Sequence, residues 1–220
     1  MKIHDVVQGS KEWLQARLGV VTASRADLLV TPKTLKASAQ AEGYLNQLVA
    51  ELRIGKPAED LASSPWMERG TDLEAHARQW YGSLRGEVEI VGFVTTHGGR
   101  IGCSPDGLVG DDGGVEIKCP AARTMIGYLR DPGAFRLKYR GQVQLSLWVT
   151  KRAWWDLLAW NPSRRIPNVL FRETPDETYQ AALDKILPPF AARVAEVAAE
   201  INDMGPVVGM ELDAADALFL

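Results

Sequence analysis

Two neighbouring stretches decide how the chain reads: Ile101-Gly102-Cys103-Ser104-Pro105-Asp106-Gly107-Leu108 and, after a glycine-rich turn, Val115-Glu116-Ile117-Lys118-Cys119-Pro120. Each reads as a short strand. Glu116 and Lys118 are two apart, so their side chains leave the same face, while Ile117 points into apolar core on the other. Charged groups on one face of an otherwise apolar strand are costly unless something compensates them. Asp106 comes from the end of the preceding strand, where a hairpin can bring its carboxylate near Glu116. Two converging carboxylates and one lysine form a hard oxygen site for Mg²⁺, and the lysine can orient a water there or, as the neutral amine, deprotonate it. The same residues also fit an Asp turn followed by a surface Glu–Lys pair. Spacing alone leaves both readings open.

Outward from this centre, Val88 to Thr95, Arg100 to Ser104 and Gly114 to Cys119 are short β-rich runs. The turns His97-Gly98-Gly99 and Gly110 to Gly114 separate them, which predicts an antiparallel meander. Trp154 to Trp160 and Asn168 to Glu173 read as further strands. Helical spacing is found from Ser10 (as N-cap) to Leu18, from about Thr22 to Val30, Ala41 to Leu52, Arg69 to Tyr81, Lys138 to Val149, and Asp176 to Asn202. Pro188-Pro189 is expected to kink or split the last of these. The order predicts an α/β class with a mixed central sheet flanked by helices. Cys103 and Cys119 are expected as reduced thiols on the buried side of adjacent strands. Trp148, Trp154, Trp155 and Trp160 sit in apolar runs and read as core or subunit contacts. His4, His76 and His97 fall in no motif and are assigned no chemistry.

The chain has 220 residues, 46% hydrophobic and 24% charged, which is ordinary globular composition. No linker or repeat divides it, so residues 1–220 are expected to form a single domain. No apolar run reaches the roughly 18 residues a membrane helix needs. The N-terminus places His4 and Asp5 where a secretory signal would be apolar, and the protein is expected to be cytoplasmic. Two cysteines cannot make a four-thiolate metal or iron–sulfur site. The net charge of -3 conceals a segment, 118 to 172, with eleven Lys and Arg against Asp131 and Asp156, a local balance of +9. Residues 173 to 220 then carry ten acids against Lys185 and Arg193, or -8. A basic segment can bind a polyanion or form a solvated surface, and charge leaves both possible. The acidic tail is expected to lie away from any polyanion. Its apolar end, Leu212, Leu218, Phe219 and Leu220, is expected to pack on the body or a neighbouring subunit.

Motifs across most of the chain resemble one family. Cys103-Ser-Pro-Asp106-Gly-Leu108 with Glu116-Ile-Lys118-Cys-Pro120 is similar to the active-site core of the lambda-type phage exonucleases. These form the viral recombinase branch of the PD-(D/E)xK nuclease superfamily. Trp13-Leu-Gln-Ala-Arg17-Leu-Gly19 to Thr22-Ala-Ser24 resembles the family's N-terminal motif. Gly70-Thr-Asp-Leu-Glu74 resembles its helical Gly-x-x-x-Glu element, and Gln142-Val-Gln-Leu-Ser-Leu-Trp-Val-Thr150 its glutamine helix.

The resemblance implies a PD-(D/E)xK nuclease core with Asp106, Glu116, the Ile117 carbonyl and Glu74 around two Mg²⁺ ions, Mn²⁺ being an alternative, and Lys118 as the catalytic lysine. Arg17, Ser24, Ser104 and Gln142 match positions that hold the 5′ phosphate of a DNA end, and their donor chemistry fits. Lys33 stands where the family has an arginine reaching into DNA, as a point charge without the planar fork. The implied activity is a Mg²⁺-dependent 5′-to-3′ exonuclease that digests one strand of linear double-stranded DNA, leaving a 3′ overhang. The implied partners are DNA ends, two further copies in a homotrimeric ring, and a phage or prophage single-strand annealing protein, within a bacterial host. The alternatives are an endonuclease of the same superfamily and a non-catalytic DNA-end clamp. The 5′-phosphate set counts against the first, and retention of Asp106, Glu116 and Lys118 together against the second.

Overall fold

The computed structural model of the chain describes residues 1–58 and 65–204, and of residues 65–72 the backbone alone. The apolar tail expected to pack on the body, and the motif residues Gly70 to Asp72 as side chains, lie outside the described part. In chain order the elements are β1 (Lys2–His4), α1 (Lys11–Arg17), β2 (Val21–Thr22), a 3-10 turn (Ala23–Leu28), α2 (Ala41–Ile54) and α3 (Pro65–Arg85). There follow β3 (Val88–Glu89), β4 (Phe93–Thr96), β5 (Ile101–Cys103), β6 (Gly107–Val109), β7 (Gly113–Lys118), α4 (Ala122–Arg130), α5 (Pro132–Thr150), β8 (Trp154–Ala159), β9 (Val169–Glu173) and α6 (Glu177–Asp203).

The expected α/β class with mixed strand pairing and flanking helices holds, and the strands fall into two mixed sheets. Strands β1-β4-β5-β2 form one, with β2 parallel to β5; strands β3-β6-β7-β8-β9 form the other, with β7 parallel to β8. The run expected as one strand from Val88 to Thr95 is therefore divided, β3 going to one sheet and β4 to the other. Gly92 lies at the division, passing so close to Val6 that a Cβ would fall 1.9 Å from its carbonyl oxygen. The chain crosses between sheets again at Ser104-Pro105-Asp106, between β5 and β6. Cys103 and Cys119 consequently do not lie on adjacent strands. Cys103 ends β5 in the first sheet, fully buried, and half-buried Cys119 follows β7 in the second.

Helix α1 starts as its sequence dictates, with the Ser10 hydroxyl accepting from the Trp13 N–H at 3.1 Å. Helix α5 begins earlier than its apolar spacing indicates. Asp131 caps it by accepting from the Ala134 N–H at 3.0 Å, and Pro132 occupies a first-turn position that needs no N–H. Helix α6 is one element despite Pro188 and Pro189. Leu183, Leu187, Ala191 and Val194 bury one face of it on both sides of the proline pair, and Phe190 stacks on Tyr44 of α2 at 6.0 Å. That packing holds the helix together where two hydrogen bonds are lost.

The main core lies between the sheets and α2, α5 and α6, and includes Trp148 and Trp155, while Trp154 and Trp160 are half-buried. A smaller core lies under α3: Ala77, Tyr81, Val109, Val115, Ile117 and Leu158. Among the described residues no helix is long and apolar enough to cross a membrane.

Candidate active site

The three residues that cross between the sheets are held one by one. The Ser104 hydroxyl accepts from Arg17 Nη1 and from Trp13 Nε1, both at 2.9 Å. The Pro105 carbonyl accepts from Gln8 Nε2 at 2.7 Å, and the Asp106 carbonyl from Arg78 Nε at 2.8 Å. The Asp106 carboxylate accepts from the Ile117 N–H at 2.6 Å. Pairing of β6 with β7 sets this last contact, with Gly107 opposite Val115, so the carboxylate meets β7 just past Glu116. Glu116 is buried, and its Oε1 accepts from Lys118 Nζ at 2.5 Å and from Gln142 Nε2 at 2.6 Å. The shared face expected of Glu116 and Lys118 is thus observed. Glu74 on α3 pairs with Arg78 one turn along the same helix.

The charges of this cluster act on one another. Burial, then the charge of Asp106, pushes Glu116 up to about 8 against the pull of Lys118. Burial and Asp106 likewise push Glu74 up to about 7, with Arg78 and Lys118 opposing. Asp106 is raised by burial, while Lys118, the Ile117 N–H and Arg78 counter the rise. Burial alone would lower Lys118, but the charges of Glu116 and Asp106 outweigh it and hold its ammonium well above the usual range. Its Nζ also stands 5.0 Å from the centre of the Tyr139 ring. Burial raises all three carboxylates, and the charge of Asp106 raises Glu74 and Glu116 further, so they are a donor set that a divalent cation would relieve, and hard oxygen ligands fit Mg²⁺ or Mn²⁺. Among the described residues, no three His, Cys, Asp or Glu side chains are gathered at ligating distance. The contacts explain this: Lys118 and Gln142 take up Glu116, Arg78 takes up Glu74, and the Ile117 N–H takes up Asp106.

The four residues expected to hold a 5′ phosphate take different partners. Arg17 and Ser104 are bonded to each other, and the Arg17 guanidinium lies 4.2 Å over the Trp13 ring. Burial lowers Arg17. Its helix ends at once: Gly19 takes a left-handed φ of +67°, and its N–H is accepted by the buried Glu51 carboxylate at 3.2 Å. This is the physical reason for glycine in the Arg-Leu-Gly motif. Ser24 is exposed and 3.4 Å from the Thr22 hydroxyl. Gln142 is turned to Glu116 instead. Lys33 is exposed on a loop closed by Thr31, whose hydroxyl donates to the Lys36 carbonyl at 3.1 Å.

Sequence reading missed Arg78, which bridges Glu74 and the Asp106 carbonyl, and gave Trp13 no role. Each stands four residues from its partner on a helix, Arg78 from Glu74 and Trp13 from Arg17, so the signal was spacing. Gln144, in the same motif as Gln142, has a different task. Its amide donates to the Thr174 carbonyl and accepts from the Asp176 N–H, both at 2.9 Å, which fixes the start of α6.

The sheets, the Asp106–Glu116–Lys118 centre and the helical Glu74 define an α/β fold of the PD-(D/E)xK nuclease type. Residues 12–153 match the model of the YqaJ-like viral recombinase domain, and the chain belongs to that family. It is similar to an alkaline exonuclease (LHK-Exo) from Laribacter hongkongensis, with 31% identity and a TM-score of 0.76 over 88% of this chain and 96% of that one. The structure of LHK-Exo in complex with dAMP matches at 32% identity and a TM-score of 0.75, with the same shares covered. A phage related exonuclease from Haemophilus somnus 129PT shares the fold, with a TM-score of 0.63 at 14% identity over 84% and 96% of the two chains. No curated protein matches.

Proposed function

We propose that the protein is a Mg²⁺-dependent deoxyribonuclease that digests one strand of linear duplex DNA from its 5′ end, leaving a 3′ overhang for phage-type recombination by strand annealing. The observation that carries this reading is the segment Ser104-Pro105-Asp106. It ties a guanidinium–hydroxyl pair suited to a terminal phosphate to the carboxylate centre, two residues away. Membership of the viral recombinase family supports the recombination context. A similar exonuclease was solved with dAMP, a nucleotide bearing one phosphate.

Asp106, Glu116, the Ile117 carbonyl and Glu74 would hold two Mg²⁺ ions, or Mn²⁺ in their place. When bound, such ions supply Lewis-acid stabilisation of the charge that develops on a scissile phosphate. Lys118 enters as an ammonium, so its part is to donate a hydrogen bond, and then a proton, to a reacting oxygen rather than to take a proton away. Arg17 and Ser104 hold the terminal phosphate, with Ser24 at the rim. Gln142, bonded to Glu116, exchanges that contact for the phosphate when an end is bound. Lys33 reaches the DNA from its exposed loop. Three copies around the DNA, a single-strand annealing protein that takes the overhang, and the cytoplasm of a bacterial host complete the proposal.

Linear duplex labelled at either 5′ or 3′ ends, alongside closed circular DNA, tests it with and without Mg²⁺. The 5′ label should be released first, faster from 5′-phosphate than 5′-hydroxyl ends, with circles intact and no release without metal. Arg17→Ala should reduce the phosphate preference. Cut circles would make the enzyme an endonuclease; binding to ends without release would make it a clamp.

A further inference from the structure

Helix α3 makes polar contacts at both ends of a single stripe. Glu74, Arg78, Tyr81 and Arg85 follow at intervals of four, three and four residues, which places them in one row on a helix. The first two face the reaction centre, where Arg78 Nε donates to the Asp106 carbonyl. The last two end on Asp156: the Tyr81 hydroxyl donates to its Oδ2 at 2.7 Å, and Arg85 Nε stands 3.6 Å from the same oxygen. Asp156 is fully buried in β8. Arg172 of β9 donates to both its oxygens, from Nε at 2.8 Å and from Nη2 at 2.9 Å. In the parallel pairing of β7 and β8, Asp156 stands opposite Val115. The anchor is therefore beside the strand that presents Glu116, on the face that α3 covers.

Burying a carboxylate is costly, and an apolar residue of similar volume often serves stability equally well. What the carboxylate adds is position. The apolar contact of α3 rests on Ala77 and Tyr81 against the sheet, and such contact is non-directional. A carboxylate clamped by Arg172 fixes a point on the sheet to which Tyr81 and Arg85 must return. We propose that Asp156 is a positioning residue for Glu74, setting the rotation and height of α3 through Tyr81 and Arg85, and with them the reach of Glu74 toward Asp106 and Glu116. This rests on the reading of Glu74 as a member of the metal-holding set.

The test uses the full chain and Tyr81→Phe, which keeps the ring in the core and removes only the hydroxyl. Mn²⁺ binding without DNA, followed by electron paramagnetic resonance, is measured beside the Mg²⁺ concentration for half-maximal digestion. Both should weaken roughly three- to tenfold, as loss of one hydrogen bond allows, while KM for DNA ends is unchanged. In a Glu74→Gln background, adding Tyr81→Phe should change metal binding no further. An equal loss in that background, or wild-type metal binding with a lowered Tm, would reduce Asp156 to a structural role and overturn the proposal. If Glu74→Gln alone leaves Mn²⁺ binding unaltered, the reading of Glu74 as a ligand is what fails. Arg85→Met, at a half-exposed site, is the second variant should Tyr81→Phe not fold, with the same direction and the same dependence on Glu74.

Discussion

Burial and the charge of Asp106 push Glu116 up to about 8 and half-buried Glu74 up to about 7. Their ordinary value is 4.5. In that window the folded chain holds more protons than the unfolded one, so stability falls as pH rises through it. The stabilising contribution is fully present below the ordinary value and is lost by the time pH passes the folded ones. A divalent cation competes with those protons and relieves the repulsion they had suppressed. The metal-free protein should therefore melt lower at pH 8.5 than at pH 5.5. Mg²⁺ should raise Tm strongly at the higher pH and little at the lower. Calorimetry at both pH values checks this, and an equal effect of Mg²⁺ at each would separate the carboxylates from metal binding. The same residues mark what sequence could show. A strand's two-residue period was enough to put Glu116 and Lys118 on one face. The choice of Gln142 for Glu116 over a phosphate partner depends on a helix and a strand far apart in sequence, which no local pattern encodes.

At the scale of elements, β7 and β8 are joined in parallel through glycines that leave room for two tryptophans. A Cβ on Gly114 would lie 2.4 Å from the Trp155 ring, and one on Gly113 2.0 Å from the Trp154 ring. Trp155 is fully buried and has nowhere to go, whereas half-buried Trp154 borders solvent with the Arg172 guanidinium 3.5 Å over its ring. Gly114→Ala should cost roughly 1–3 kcal/mol in denaturant unfolding and reduce cleavage, since Glu116 is two residues on. Gly113→Ala should cost less despite its shorter contact; the reverse order would mean that Trp155 has freedom its burial denies. Gly113 reads as part of a turn in the sequence and Gly114 as both the end of that turn and the start of the strand; only Gly110 to Asp112 remains a turn. The class and most elements were legible because apolar spacing records which face is buried. The division into two sheets was not, because Val88 to Thr95 carries the β pattern without interruption. The close pass of Gly92 over Val6 is a long-range contact. The proline pair in α6 misled for a related reason: local breaking strength is visible in sequence, and the packing that overrides it is not.

For the molecule as a whole, the +9 and -8 segments are not separate fields. Arg136 pairs with Glu173 and Arg140 with Asp176, so the basic helix α5 is partly neutralised by the approach to α6. Lys118 and Arg172 are taken up by Glu116 and Asp156. A count of charges along the chain cannot tell paired cations from unpaired ones, which is why the segment pointed to a polyanion without locating its surface. Arg123 and Arg130 are different. They are exposed, seven residues apart on α4, and so on one side of a helix that starts four residues after Lys118. Cations that meet phosphates release counterions, and each contact contributes close to one unit to the slope of log K against log salt concentration. Arg130→Ala should therefore reduce the salt slope of duplex binding by about one and weaken binding on all sequences alike. Arg136 spends both ends of its fork on Glu173, at 2.6 and 2.9 Å. Arg136→Ala should leave the slope close to that of the wild type. Fluorescence anisotropy across a salt series distinguishes the two, and equal slopes for both variants would remove α4 from the DNA-facing surface.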